Sequence, residues 1–580
     1  MTASSIPRPE YPRPQFTRAD WMNLNGEWGF EVDASLSGEE RNLFLGQPLA
    51  RKIIVPFCPE SDLSGIGEKD FMPAVWYRRD VELPAVWTAA GKRILLHFGA
   101  CDYETTVWVN GRKVGMHRGG YTSFTFEITA QAAPGKNVIV VRAVDDTRNK
   151  LQPTGKQSER LHSYSCLYTR TTGIWQTVWL EAVPATYLRA VKYFPNIDEG
   201  TITVHAKLDG PTKGYRLHAA VRAEDKEMGA ADVAADGLAI FTIKLAERHL
   251  WEPGAPYLYN VEFTLDQAGQ AGDTVKSYFG LRSIVIDGKR VLINHKSVFQ
   301  RLVLDQGFYP DGIYTAPSDD ALRSDIELSM AMGFNGARLH EKVFEERFHY
   351  WADKLGYLTW GEYPNWGLDH ANPLALERYL SEWLEALERD FDHPSIVGWC
   401  PFNETNPQQN PELLRMIYRA TKAVDWTRPV IDTSGYVHVE TDIYDCHNYE
   451  QDAAKFAAAF EAFKTSDTIY QNFPRHEVPY QGQPYFCSEY GGIWWNPGQA
   501  DALAWGYGDR PRSEQQFLER YKALTETLLF NPNMFAFCYT QLTNVEQEVN
   551  GLYTCDRKAK FDPAIIRAIN VQRAAIETDN

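Results

Sequence analysis

SIVGWCPFNET, residues 395–405, decides how the C-terminal half of this chain folds. Its first five residues form a nearly continuous apolar run, as a strand buried on both faces requires, and its end turns polar at Asn403 and Glu404. Just upstream, the stretch 374–391 repeats Leu376, Leu380, Trp383 and Leu387 at spacings of three and four, which makes one apolar helix face. Asn372 is the expected cap of that helix and Pro373 its first residue. A helix followed by a doubly buried strand is the unit of a parallel α/β sheet. Its recurrence over residues 286–580 has the size and pattern of a (β/α)8 TIM barrel.

Outward from the barrel, the period changes. Residues 1–183 carry short alternating or aromatic-rich runs at 76–83, 94–98, 105–109 and 138–143, separated by turn signals. Asn110-Gly111 between two such runs is a two-residue hairpin signal, and the whole reads as an all-β sandwich. Residues 184–285 continue with runs at 201–206, 217–222, 239–245 and 258–265, enough for a small immunoglobulin-like sandwich without the Cys-Trp-Cys spacing of antibody domains. The fold class expected is multidomain β and α/β.

The chain has 580 residues, 44% of them apolar, and its net charge of −17 is spread without a basic block, which speaks against a nucleic-acid partner. No apolar stretch approaches the roughly 18 residues of a membrane helix. The opening MTASSIPRPEYPRPQF lacks the basic start and apolar run of a secretory signal, so a cytoplasmic location is expected. Eight cysteines without a C-x-x-C pair suit a reducing compartment. Cys400, Cys446, Cys487 and Cys538 fall in or near candidate strands, where buried packing outweighs a metal cluster. No metal or other cofactor is expected, and homo-oligomerisation is left open.

Reacting groups in such a barrel sit at the C-terminal ends of strands. Two of these ends carry a glutamate: Glu404 after the presumed fourth strand, and Glu489 in PYFCSEYGG (484–492) after the presumed seventh. Cleavage of a glycosidic bond needs a carboxyl pair, one protonating the departing oxygen and one meeting the oxocarbenium-like centre from the opposite face. Such a groove must hold one carboxyl protonated and the other ionised. Asn403 can offer its amide to a sugar hydroxyl. Flat aromatic faces at Trp360, Trp366, Trp494 and Trp495 suit the apolar side of a sugar ring, with Trp495, just past the Gly491-Gly492 turn, the preferred wall. Burial in the core is the competing reading for each.

LNGEWGF (24–30), VWVNGRKVGMHRGGYTSF (107–124), TTGIWQTVWLE (171–181), GFNGARLH (333–340), HPSIVGWCPFNE (393–404) and FCSEYGG (486–492) together resemble glycoside hydrolase family 2, the family of β-galactosidases, β-mannosidases and β-glucuronidases. The resemblance spans nearly the whole chain and implies a jelly-roll-like sandwich, an immunoglobulin-like sandwich and a barrel in that order. It implies Glu404 as acid/base and Glu489 as nucleophile of a configuration-retaining double displacement. Tyr449 matches the family tyrosine that approaches the nucleophile, and Arg338 the arginine that orients it. His340 and Glu341 follow Arg338 without the family's usual Ser-His-Tyr run. Asp305, Glu362 and Asn365 follow other presumed strands as hydroxyl-binding candidates, and Gln541 occupies the eighth-strand region where many members place tryptophan. His447 is read as a strand-end hydrogen-bonding residue.

The glucuronidase branch carries an Asn-x-Lys element for the sugar carboxylate, whereas Asn550, Gly551 and Leu552 stand here. That places a β-galactoside first among expected substrates, ahead of a β-mannoside, a β-glucuronide or a furanoside such as a galactofuranoside or arabinofuranoside. An inactive carbohydrate-binding protein on a hydrolase scaffold is the rival from another class. The presence of both glutamates in their motifs argues against it.

Overall fold

The structure is a computed structural model that describes residues 6–88, 91–496 and 503–577. In the N-terminal sandwich, Trp21–Asn23, Val178–Pro184, Lys92–Phe98 and Phe124–Glu127 form one antiparallel sheet. A six-stranded sheet faces it, with Ala74–Leu83 and Gly135–Val144 at its centre. Alternate residues of both sheets, among them Trp28, Tyr77, Leu96, Val107, Val141 and Leu180, meet in the core. The hairpin signal is realised: Asn110 and Gly111 have φ of 52° and 75°, the positive pair that joins two twisted strands through two residues, and Val109 pairs with Arg112.

The immunoglobulin-like sandwich packs Tyr187–Asn196, Thr201–Asp209 and Leu238–Lys244 against a four-stranded sheet built on Tyr215–Ala223 and Leu258–Gln267. Leu238–Lys244 alternates exposed and buried along its length, the period-2 pattern of a sheet wetted on one face.

In the barrel, seven parallel strands run in the order Ile396–Cys400, Leu358–Glu362, Gly336–Leu339, Gln300–Asp305, Met534–Thr540, Tyr485–Gly491, Tyr444–Asn448. The fifth position of the barrel is filled by residues 430–434, which touch the fourth strand only through bridges at Trp399–Val430 and Asn403–Ser434. This segment reads VIDTS, and its side chains compete for the backbone: Asp432 accepts from the amides of Thr433, Val439 and Glu440. A regular ladder does not survive that competition. Among the described residues, no helix is long and apolar enough to cross a membrane.

The helix read from 374–391 spans Ala375–Asp390, two residues shorter at its start than its cap signal implies. Asn372 instead accepts from the Leu374 amide in the preceding turn. Its buried face is centred on Tyr379, Trp383, Ala386 and Leu387, with Leu376 and Leu380 only partly buried at the flank. Glu382 is buried there too, because it accepts from the Tyr121 amide of the N-terminal sandwich at 2.6 Å and from the Tyr363 hydroxyl at 2.8 Å. One acid thus ties sandwich to barrel.

Residues 7–20 also join the domains. Arg8 pairs with Glu345 of the barrel at 2.7 Å, and Arg18 forks between Glu181 of the first sandwich and Asp273 of the second at 2.8 and 2.9 Å. The long connection after Gly135–Val144 crosses to the barrel mouth, where the Thr154 and Gly155 amides donate to Trp366 O at 2.8 and 3.2 Å. Gln547 of the barrel donates to Ser165 O at 2.6 Å. The two chains come so close that a Cβ on Gly367, which has φ of 84°, would lie 2.2 Å from the Thr154 hydroxyl.

Candidate active site

Glu404 and Glu489 meet at the C-terminal mouth of the barrel. Glu404 lies beyond Ile396–Cys400 with φ of 52°, a left-handed conformation that costs a glutamate about 1–2 kcal/mol, and its amide is held by Ser434 O at 3.0 Å. Glu489 lies inside Tyr485–Gly491, where the register against Met534–Thr540 shifts between Cys487 and Tyr490. Such an irregularity re-aims the side chain into the mouth.

The two oxygens of Glu489 are separately held. Oε1 accepts from Arg338 Nη1 at 3.2 Å and Oε2 from the Tyr449 hydroxyl at 2.6 Å. Tyr449 is itself fixed by stacking on Tyr507, with ring centroids 3.5 Å apart and planes 4° from parallel. Arg338 is fully buried and uses its fork throughout: Nε donates to Glu362 Oε1 at 2.6 Å, Nη1 also to Ser488 O at 2.7 Å, and Nη2 to Asn403 Oδ1 at 3.2 Å. With its oxygen so used, Asn403 keeps a buried Nδ2 donor without a partner among the described residues, and the residue lines the cavity that holds both glutamates.

His447 bridges the pair. Its Nδ1 lies 2.7 Å from Glu404 Oε1 and 3.4 Å from Glu489 Oε2, and Nε2 meets the Ser434 hydroxyl at 3.1 Å. Burial pushes the Glu404 carboxyl up, but the hydrogen bond and charge of His447 outweigh it and hold Glu404 below the ordinary carboxylate value. Burial pushes His447 down, yet the two carboxylates hold it above the ordinary imidazole value. Where the sequence leads one to expect a protonated Glu404, these shifts favour the proton on the imidazole of the pair. His340 differs: burial drives it well below its usual value, so it is neutral, with Nδ1 3.0 Å from Glu362 Oε2.

One atom from each of Glu404, His447 and Glu489 lies within 4.8 Å of the others. A divalent cation accepts such a donor set. The guanidinium already seated 3.2 Å from Glu489 opposes a second cation there.

These groups line a cavity of about 220 Å³. Of the residues expected from sequence, Glu404, Glu489, Asn403, Tyr449, His340 and Trp366 face it. Arg338 and Glu362 stand behind that wall as an ion pair. Trp495 does not reach it: Gly491 and Gly492, with φ of 78° and 57°, turn the chain away, and the indole packs toward Phe517 and Phe561. Asp305 is also off the cavity, its carboxylate accepting from the Gly307 amide at 2.9 Å and pushed up to about 6 by burial. Gln541 is spent between Gln306 and Asn550, at 2.8 Å to each. Trp360 is core, its Nε1 donating to Gln300 at 2.8 Å.

The sequence reading missed Lys156 and Cys166 from the first sandwich, and Tyr436, Tyr507 and Glu548 from barrel loops. Lys156 and Cys166 belong to a connection without periodicity. Glu548 carries one usable signal, an acid two residues before Asn550-Gly551 in the loop after Met534–Thr540.

Three domain models of one family match the chain in succession: the sugar binding domain of glycosyl hydrolases family 2 at residues 22–180, the central family 2 domain at 186–282 and the family 2 TIM barrel domain at 284–569. The chain belongs to glycosyl hydrolase family 2. It is a glycoside hydrolase. Among curated family 2 relatives, a β-glucuronidase of Paenibacillus borealis is 24% identical over 96% of this chain and 98% of its own length. One of Rattus norvegicus is 26% identical over 70% and 67%. Among solved structures, Ruminococcus gnavus β-glucuronidase in complex with D-glucuronic acid superposes with a TM-score of 0.79 at 19% identity, covering 98% of this chain and all of that one. An uncultured Clostridium β-glucuronidase gives 0.78 at 20% identity, with coverage of 97% and 99%. These superpositions bear on the family 2 fold alone.

Proposed function

We propose that this family 2 hydrolase removes a terminal β-linked uronic acid of the glucuronic type, with retention of configuration. The observation that carries the mechanism is that one oxygen of Glu404 and one of Glu489 lie within 4.8 Å of each other, an approach that favours the short carboxyl separation of a double displacement over the wider one of a single displacement. The glycone rests on the β-glucuronidases among the relatives, and this reverses the order in which the sequence ranks the sugars.

In the first step Glu489 Oε2 or Oε1 forms a bond to the anomeric carbon while the glycosidic oxygen departs with a proton from the Glu404–His447 pair. Arg338 and Tyr449 orient the nucleophile throughout. The unpartnered Asn403 Nδ2 donates to the sugar 2-hydroxyl, a contact that tightens in the transition state. In the second step the pair, now short of that proton, takes one from water, and the hydroxide releases the sugar from Glu489.

A neutral glycone, with the β-galactoside first, is the second reading. Two features favour it: the Glu548 carboxylate stands on the cavity wall, and Asn550-Gly551-Leu552 replaces the Asn-x-Lys element. A panel of nitrophenyl glycosides, pyranosides and furanosides, decides between them. Turnover of the β-glucuronide at least tenfold above every neutral member supports the first reading, and the opposite order replaces it.

A further inference from the structure

Lys156 is a cation on the cavity that the reaction does not use. It comes from the first sandwich, is only 5% exposed, and holds its Nζ 3.7 Å above the ring of Trp366. The position is rigid. Lys156 O accepts from the Tyr168 amide at 2.7 Å, and the preceding Thr154 and Gly155 amides are pinned to Trp366 O. Gly155 has φ of 55°, and a Cβ there would lie 2.4 Å from Glu341 O, so the connection is pressed onto the barrel wall.

Among the described residues, no acceptor hydrogen-bonds to Lys156 Nζ and no carboxylate lies within ion-pair distance of it. Glu548, on the same cavity, has both oxygens in use: Oε1 accepts from Asn550 Nδ2 at 2.9 Å and Oε2 from the Tyr168 hydroxyl. Glu404 and Glu489 are taken by His447, Arg338 and Tyr449. An ammonium withdrawn from water without a hydrogen-bonded counter-ion is costly, and a ligand anion removes that cost. Burial lowers the proton affinity of Lys156, but Cys166, Glu548, Glu404 and Glu489 together more than restore it, so the group is charged when a substrate arrives.

We propose that Lys156 receives the carboxylate of the glycone, so that the cation for a uronic acid is supplied by the first sandwich instead of by an Asn-x-Lys element of the barrel. The assignment rests on the uronide reading above. It also accounts for Glu548 beside the pocket: Tyr168 and Asn550 hold that carboxylate away from the ammonium and leave it free for the sugar.

The test compares nitrophenyl β-D-glucuronide with nitrophenyl β-D-glucoside, which differ only in carboxylate against hydroxymethyl. Because the nitrophenyl group is uncharged, any effect of charge reports on the sugar and not on the aglycone. In Lys156→Met the ratio of kcat/KM for glucuronide over glucoside should fall on the order of 100-fold, and in Lys156→Arg it should stay within about tenfold of the parent. If the Met variant melts early, Lys156→Gln supplies the same ratio. An unchanged ratio, or equal loss on both substrates, removes Lys156 from carboxylate recognition while leaving the uronide reading standing. A parent enzyme that cleaves the glucoside and not the glucuronide overturns both, and it does so before any variant is made.

Discussion

His447 Nδ1 and Glu404 Oε1 lie 2.7 Å apart. The imidazole is held above its ordinary value and the carboxyl below its own, so the proton lost as pH rises is the one on His447. The two groups titrate as a unit. The basic limb of the kcat/KM profile should therefore lie above the ordinary histidine range. In His447→Gln the departing proton must come from Glu404, and the limb should move to lower pH. A limb that stays in place takes His447 out of the proton pathway.

Glu404→Gln should retain binding but lose most turnover on substrates with poor leaving groups, because protonation then limits the first step. Activated aryl glycosides should lose less, and azide should partly restore the second step by attacking the glycosyl-enzyme without a base. Equal loss on both classes, with no rescue, contradicts the acid/base role.

A 2-deoxy-2-fluoro glycoside of the correct sugar with a good leaving group should label Glu489. The fluorine destabilises the oxocarbenium-like transition states and removes the Asn403 contact, slowing both steps, while the leaving group lets the first proceed. Mass analysis should place the sugar in the peptide containing PYFCSEYGG, and proton NMR should show the first product in the substrate's configuration. An inverted product makes Glu489 a general base instead.

Arg338→Lys should cut kcat by roughly 100-fold and lower the melting temperature, since an ammonium cannot reproduce a buried fork engaging Glu362, Glu489, Ser488 O and Asn403 at once. A variant with unaltered kcat refutes the positioning role.

At the junction of the two sandwiches, Glu181 accepts from Arg13 at 3.0 Å and Arg18 at 2.8 Å, and also from Tyr11. Burial raises its carboxyl, but the surrounding cations outweigh this and hold it far below the ordinary value. Because the folded value is depressed, its contribution is complete above the ordinary carboxylate range and is lost as pH falls from there toward the folded value. Glu181→Gln should cost about 1–3 kcal/mol near neutrality, because Arg13 loses its ion pair and Arg18 is left with Asp273 alone. Calorimetric melting at neutral pH and near pH 3 should show the difference between parent and variant shrinking on acidification. A constant difference speaks against the ion cluster.

The sequence was most readable where local pattern and burial agree. SIVGW is buried on both sides as its composition demands, and the polar residues that follow it reach the barrel mouth. Asn110-Gly111 needed nothing beyond its own two residues. The fifth barrel position was illegible because the amides of Asp432 and Thr433 donate to side chains, those of Thr441 and Asp432, a tertiary bargain that no period records. Trp495 was misplaced because a two-glycine turn sets direction through φ, and composition does not reveal which way such a turn leads. Lys156 could not be found, since what makes it a pocket residue is contact with Trp366 of another domain. Contacts of that kind leave no mark on the neighbouring sequence.

The crossing of residues 150–169 onto the barrel mouth also bears on heredity. A pocket finished by its neighbour makes the two domains a single unit of descent: neither can be exchanged by recombination without disturbing the other, and a barrel cut free would lose a wall of its binding site along with a partner. The same arrangement opens a route for diversification. If Lys156 reads the glycone, substitutions in one connection of a noncatalytic sandwich would retune which sugars are accepted while every residue that performs the chemistry remains untouched.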